Sequence, residues 1–397
     1  MARTRRTTWL PIAAAVLLAV LIALATLRRP APTGVEATVG EEVTVFDYST
    51  DACGRLDLPD TPARAFRDAG GTVNLLASHH VTRRATGPNL DSLTRDCTVV
   101  MESHADPRPE RFDDREWIAS LYTPDGRRVA ALVHNEYQGH RHAGRCPSES
   151  YRRCWYNSIT LAVSEDGGRS FAHAEPPDHL VAALPERYVP DIGPQGVFSA
   201  SNIVPGRGDG WFYAMFHLQS DDHGTGTCVM RTRDPFDAGS WRAWDGEGFS
   251  VDFADPYREE PEGEFCRPVS RDRIGTMRHS LTYNTYLDRY LLVGPNQGWD
   301  AAREEQVSGI YLSTSKDLVS WSPRTLIMEA ELPWTFECGD DAPVNYPSLL
   351  DPESPARNFD VTGRTGYLYF TRLNYRDCRQ TLDRDLIRVP VTLRKAA

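Results

Sequence analysis

The sequence predicts an all-β protein, a five-bladed β-propeller behind an N-terminal transmembrane or signal segment. Three observations lead there. Short runs rich in Val, Ile, Leu, Tyr and Trp are broken by Gly, Pro and Asp almost throughout. A strand–turn–strand grammar recurs five times, and no long stretch keeps a 3.6-residue apolar period. The 397 residues suffice for one large all-β domain.

The N-terminal segment comes first. Trp9 to Leu27 is an apolar run of 19 residues, preceded by Arg3, Arg5 and Arg6 and followed by Arg28 and Arg29. At 1.5 Å per residue, a helix of that length just spans a bilayer core of about 30 Å. Because the run ends on charge, an uncleaved signal-anchor is expected, with the amino end cytoplasmic and the domain outside. The alternative is secretion after cleavage near Ala25, since Ala23-Leu24-Ala25 has the A-x-A form. The expected organisation is a basic stub at 1–8, the anchor at 9–27, a linker at 28–52, the β-domain at 53–392 and a tail at 393–397.

All eight cysteines follow the apolar run, and in an exported chain an even number reads as disulfides. Eight cysteines allow about 105 connectivities. If each pair belongs to one structural unit, successive pairing is simplest: 53–97, 146–154, 228–266 and 338–378. No Cys-x-x-Cys or Cys/His run has zinc spacing, so no metal site is expected from the cysteines.

The repeat lies in the body of the chain. Segments starting at Pro62, Trp117, Ser199, His279 and Tyr346 each run from a short strand through an Asp/Gly turn into a more apolar strand. A further strand follows several of them and ends in an Asp turn, Ser and a large aromatic: Asp166 with Phe171, Asp234 with Trp241, and Asp317 with Trp321. Ser120, Ser201, Ser280 and Ser348 recur at a period fit for a four-stranded unit with long loops. A pair of β-sandwiches is the rival architecture, but it gives no reason for this order to recur.

Residues 53–392 resemble the five-bladed β-propeller glycoside hydrolases of the arabinanase, xylosidase and sucrose-hydrolase type. The likeness rests on Asp60-Thr61-Pro62 leading through Asp68-Ala-Gly-Gly into Val73-Asn-Leu-Leu. It implies that Asp60 is the general base. Separately, Ser164-Glu-Asp166-Gly-Gly168-Arg-Ser-Phe171 resembles the Asp-box of sialidase-type propellers, with Phe in place of Trp. That motif closes a hairpin and carries no chemistry.

Hydrolysis of a glycoside needs two carboxyl groups flanking the bond, one protonated and one ionised. Beside Asp60, Glu136 is the candidate acid, and His134 shares its strand face. His279, which starts the fourth inner strand, is a further proton donor. His79, His134 and His217 end comparable strands, a ring of imidazoles that could bind substrate, shuttle protons or hold a metal. Arg64, by period two on the face of Asp60, and Arg278 could grip a hydroxyl or carboxylate. Trp117 and Tyr346 could stack on a sugar ring, Asn202 and Gln219 could meet hydroxyls, and Asn345, which begins the fifth inner strand, could contact substrate beside Tyr346. Each has a structural counterpart: a capping Asp, a surface ion pair, a packed Trp.

The expected partners are a glycan and, through residues 9–27, a membrane. A net charge of −11, carried despite the basic N-terminus, disfavours nucleic acid. No cofactor is required; a structural calcium in the channel would be compatible, but no residue pattern indicates one. Two other readings stand beside hydrolysis: a non-catalytic carbohydrate- or protein-binding propeller, and a sialidase-like enzyme. The chain has no G-x-S-x-G elbow, phosphate loop, H-E-x-x-H or dinucleotide fingerprint.

Overall fold

A computed structural model describes residues 34–396, apart from 177, 259, 260 and 262. The segment 9–27 lies outside the described residues. Among the described residues, no helix is long and apolar enough to cross a membrane. The chain divides into a large unit, 37–393, and a small one drawn from 1–36 and 394–397. In the small unit the Ala396 N–H donates to the Gly34 carbonyl.

The large unit is nearly all β, as the alternation of apolar and polar residues predicts. Arg64–Arg67, Val73–Leu76, Val81–Gly87 and Thr94–Glu102 form one antiparallel sheet. Arg115–Tyr122, Val129–Gln138 and Trp155–Ser164 begin a second, larger sheet. It continues through Gln195–Phe198, Phe212–Ser220 and Gly224–Thr232. Ser280–Asn284, Arg289–Asp300, Glu305–Ser315 and Thr325–Glu329 build the third. The fourth contains Val344–Leu350, Thr365–Arg376 and Arg379–Lys395.

The two halves of the large sheet join where Gln195 and Gly196 run parallel to Tyr156 and Asn157. Gly196 has a φ of +122°, and a Cβ there would lie 2.1 Å from the Asn157 carbonyl oxygen. Only glycine permits both that backbone and that approach.

The innermost strands are tied into a closed ring by single side chains. Arg64 Nε donates to the Ala119 carbonyl (2.8 Å). Ser120 Oγ accepts from the Ile203 N–H (3.1 Å). Asn202 holds both the N–H and the carbonyl of Leu281. Ser280 Oγ accepts from the Leu349 N–H (3.0 Å), and Ser348 Oγ donates to the Ala63 carbonyl (2.7 Å). These bonds satisfy polar groups where sheet edges meet in the interior, and they explain why Ser recurs at those positions.

Between the sheets lies apolar packing. Phe216, Trp241, Ile159 and Leu132 fill one cluster, and Leu281, Met277 and Trp321 another. The Asp turns are tied as expected: Asp166 accepts from the Arg169 and Ser170 N–H groups, and Asp317 from those of Val319 and Ser320. The aromatics after them, Phe171, Trp241 and Trp321, are buried.

All four disulfides follow the successive pairing: Cys53–Cys97, Cys146–Cys154, Cys228–Cys266 and Cys338–Cys378. Two boundaries differ from expectation. Within the stretch read as a linker, Val43–Phe46 pairs with residues 386–388 of the last long strand, so it belongs to a sheet. At the other end that strand runs to Lys395, into the expected tail.

Candidate functional site

A cavity of about 240 Å³ opens at one end of the ring. Nine of the twelve residues singled out in the sequence line it: Asp60, Trp117, His134, Glu136, His217, Arg278, His279, Asn345 and Tyr346. They arrive there because each stands at the same end of an inner strand or its neighbour. His134 and Glu136 are two apart on the strand Val129–Gln138, hence on one face. Tyr346 has a φ of +55°, and the register shifts between Asn345 and Ser348. That irregularity re-aims the side chain at a backbone cost of about 1–3 kcal/mol.

Asp60 is held from three sides. Its Oδ2 accepts from Trp117 Nε1 (3.1 Å) and lies 3.5 Å from His79 Nε2. Its Oδ1 is ion-paired with Arg384. Burial alone would lower the Arg384 pKa, but Asp60 and Tyr346 outweigh it and the guanidinium stays charged. The Tyr346 phenol is pushed well above its ordinary range by burial and by the charge of Asp60.

Glu136 is held differently. Its Oε2 accepts from the Gln138 amide (2.7 Å), and its Oε1 lies 3.0 Å from His134 Nε2. His134 Nδ1 accepts the Ser199 N–H (3.1 Å), so the proton of the neutral ring sits on Nε2, facing Glu136. The two carboxylates therefore have unlike surroundings, one paired with a guanidinium and one held by an amide and an imidazole.

The remaining histidines depart from the expected proton relay. Burial, then Arg278, holds His217 down at about 3. Burial, Arg278 and Arg64 hold His279 well below the imidazole range. Both rings are neutral at pH 7, so His279 is not poised as a cationic proton donor. Burial also lowers Arg278, to about 10, which leaves it a cation in the cavity wall. Arg278 Nε donates to the Ser199 carbonyl (3.1 Å).

Three expected contact residues lie elsewhere. Arg64 is buried beneath the cavity and donates to the carbonyls of Ala119 and His279 and to Ser348 Oγ. Residues 60–63 are not in a strand, so period two does not carry from Asp60 to Arg64. Burial lowers its pKa to about 9, and its donors are spent on the ring. Asn202 is likewise spent on Leu281. His79 stands behind Asp60, edge-on to Trp117 with ring centroids 5.5 Å apart, outside the cavity lining.

Sequence reading missed Arg384, Trp155, Phe198 and Trp334. Arg384 sits in Asp383-Arg384-Asp385, which reads as a solvated charge run. Trp334 is 57% exposed at the cavity, in a loop with no strand signal. Its exposure is the signal, and it exists only in three dimensions.

No family model matches the chain, and no curated protein matches its sequence. Solved structures align with most of its length at low identity. A glycosyl hydrolase from Bacteroides ovatus is 10% identical, with 87% of this chain and 93% of that one covered and a TM-score of 0.44. A thermostable family-43 glycoside hydrolase is 10% identical over 90% of each chain, with a TM-score of 0.43. An N-acetylgalactosamine deacetylase from F. plautii is 12% identical over 89% and 95%, with a TM-score of 0.45. The functional reading rests on the site.

Proposed function

We propose that the protein is a five-bladed propeller that hydrolyses a glycoside at this cavity. The observation that carries the reading is one cavity lined by two carboxylates in unlike environments, Asp60 and Glu136, with Trp117, Trp155 and Trp334 around them. Five inner segments joined in a closed ring support the blade count. In this reading Asp60, paired with Arg384, is the partner that activates water or attacks the anomeric carbon.

Glu136 is the acid that protonates the leaving oxygen. Gln138 suits that role, because turning its amide by 180° exchanges a donor for an acceptor. The same contact then serves Glu136 before and after it gives up its proton. His134 Nε2–H stays on the other oxygen throughout. The indoles offer flat apolar faces to the C–H side of a sugar, and Arg278 offers a cation to a hydroxyl or an acidic substituent. The apolar run at 9–27 and the four disulfides support export, with the domain held outside the cytoplasmic membrane.

A second reading, binding without cleavage, is favoured by the full engagement of Asp60 by Trp117, His79 and Arg384. The deciding experiment incubates the protein with a panel of oligosaccharides and measures newly formed reducing ends. Release that falls about 10²–10⁴-fold in Glu136→Gln supports hydrolysis. Binding of a glycan by calorimetry with no release, unchanged in Glu136→Gln, supports the second reading.

A further inference from the structure

Beyond the cavity, the strand Arg115–Tyr122 carries a second cluster on its other face. Trp117 lines the cavity, while its neighbour Glu116 points away and is 1% exposed. Glu116 Oε1 lies 3.0 Å from His173 Nδ1, and its other oxygen, Oε2, is buried without a hydrogen-bond partner. Next to it, His104 Nδ1 lies 2.6 Å from Asp113 Oδ2. One ligand atom each from His104, Asp113 and His173 falls within 4.8 Å of the others.

We propose that His104, Asp113 and His173 bind a zinc ion, with Glu116 behind His173. Two imidazoles and a carboxylate are a donor set that suits zinc. One ligand atom from each lies within 4.8 Å of the others, so side-chain rotations bring them to the roughly 3.3 Å spacing of a tetrahedral site with metal–ligand bonds of about 2.0–2.1 Å. Glu116, 3.0 Å from His173 Nδ1, is the carboxylate that holds that imidazole.

The ligands come from three places: the loop after Thr94–Glu102, the entry to the strand Arg115–Tyr122, and the short strand Ala172–His173. The ion therefore acts as a staple, fixing the entry of the strand that carries Trp117 to the cavity. Three protein ligands leave the fourth position to water, and Glu116 orients His173 from behind.

The test uses the full chain, unreduced so that the cysteines stay paired. It is equilibrated with zinc chloride, desalted and analysed for metal, and cobalt is then substituted to record the visible spectrum. Expected are about one zinc per chain, the intense visible bands of four-coordinate cobalt, and an affinity lowered about 10–100-fold by Glu116→Gln. His104→Ala, at an exposed position, is expected to abolish retention while the melting temperature without metal is unchanged. Failure of the parent to retain zinc overturns the proposal. Equal retention by His104→Ala and His173→Ala, or six-coordinate cobalt bands, does so as well.

Discussion

Asp60 and Arg384 stand 324 residues apart in the chain and form a largely buried ion pair at the cavity. The contact ties the head of the first inner segment to the last long strand, and it puts a cation against the carboxylate proposed to activate water. Catalysis and stability thus meet in one interaction, and they can be separated.

Asp60→Asn removes the charge and leaves Arg384 buried without its counter-ion. Activity is expected to fall about 10²–10⁴-fold. Stability is expected to fall as well, by about 3 kcal/mol, because breaking a buried pair strands the other charge. Adding Arg384→Gln to Asp60→Asn should recover most of the stability and none of the activity. Denaturant titration and reducing-end release on the two variants check both halves. Recovery of activity in the double variant would exclude Asp60 as the base.

Trp334 is exposed, so replacing it leaves no cavity in the core. Trp334→Ala is expected to raise KM roughly tenfold, a loss of about 1.4 kcal/mol of binding, with kcat little changed. The melting temperature should stay within a degree or so of the parent. A fall in kcat with KM constant would argue against a stacking role.

Burial depresses His80 and His217 to about 3, with Arg115 and Arg278 respectively adding to the effect. In the unfolded chain both titrate near 6.5, so between pH 6.5 and 3 the unfolded state binds more protons. Stability is therefore fully present above pH 6.5 and lost as pH falls, at a limiting slope of about 1.4 kcal/mol per pH unit for each ring. His217→Gln should flatten the loss between pH 6.5 and 4. Parallel curves for parent and variant would show that His217 does not remain neutral in the folded state.

Cys228 and Cys266 are both buried and close a 38-residue separation. The double change to Ala is expected to cost about 2–5 kcal/mol, more than loss of Cys146–Cys154, whose separation of 8 restrains the unfolded chain least. Guanidinium unfolding of the two double variants gives the comparison.

Much of the site was legible one strand at a time. His134 and Glu136 share a face because a strand repeats every two residues, and that periodicity is local. Asp60, His279 and Tyr346 could be assigned to inner-strand heads because the repeat marks where each begins. The rule failed at Arg64, where the chain between Asp60 and the strand is irregular and the side chain turns beneath the cavity. It failed again at Asn202, whose amide matches the Leu281 backbone of the next segment. Neither partner is near in sequence. The zinc ligands were invisible for the same reason, since 104, 113 and 173 have no common local spacing.

By itself, the sequence determined the all-β class and the order of the repeated segments, while about 105 cysteine pairings stayed open. Class and order follow from alternation, turn residues and short loops, which act over a few tens of residues. Only the tertiary structure decided that Arg384 faces Asp60, that Trp334 stands open at the cavity, and that His217 and His279 are neutral. Those properties depend on which chain segments meet and on how much water they exclude. A ring brings residues hundreds of positions apart within 4 Å, and no pattern in one segment encodes the dielectric made by the others.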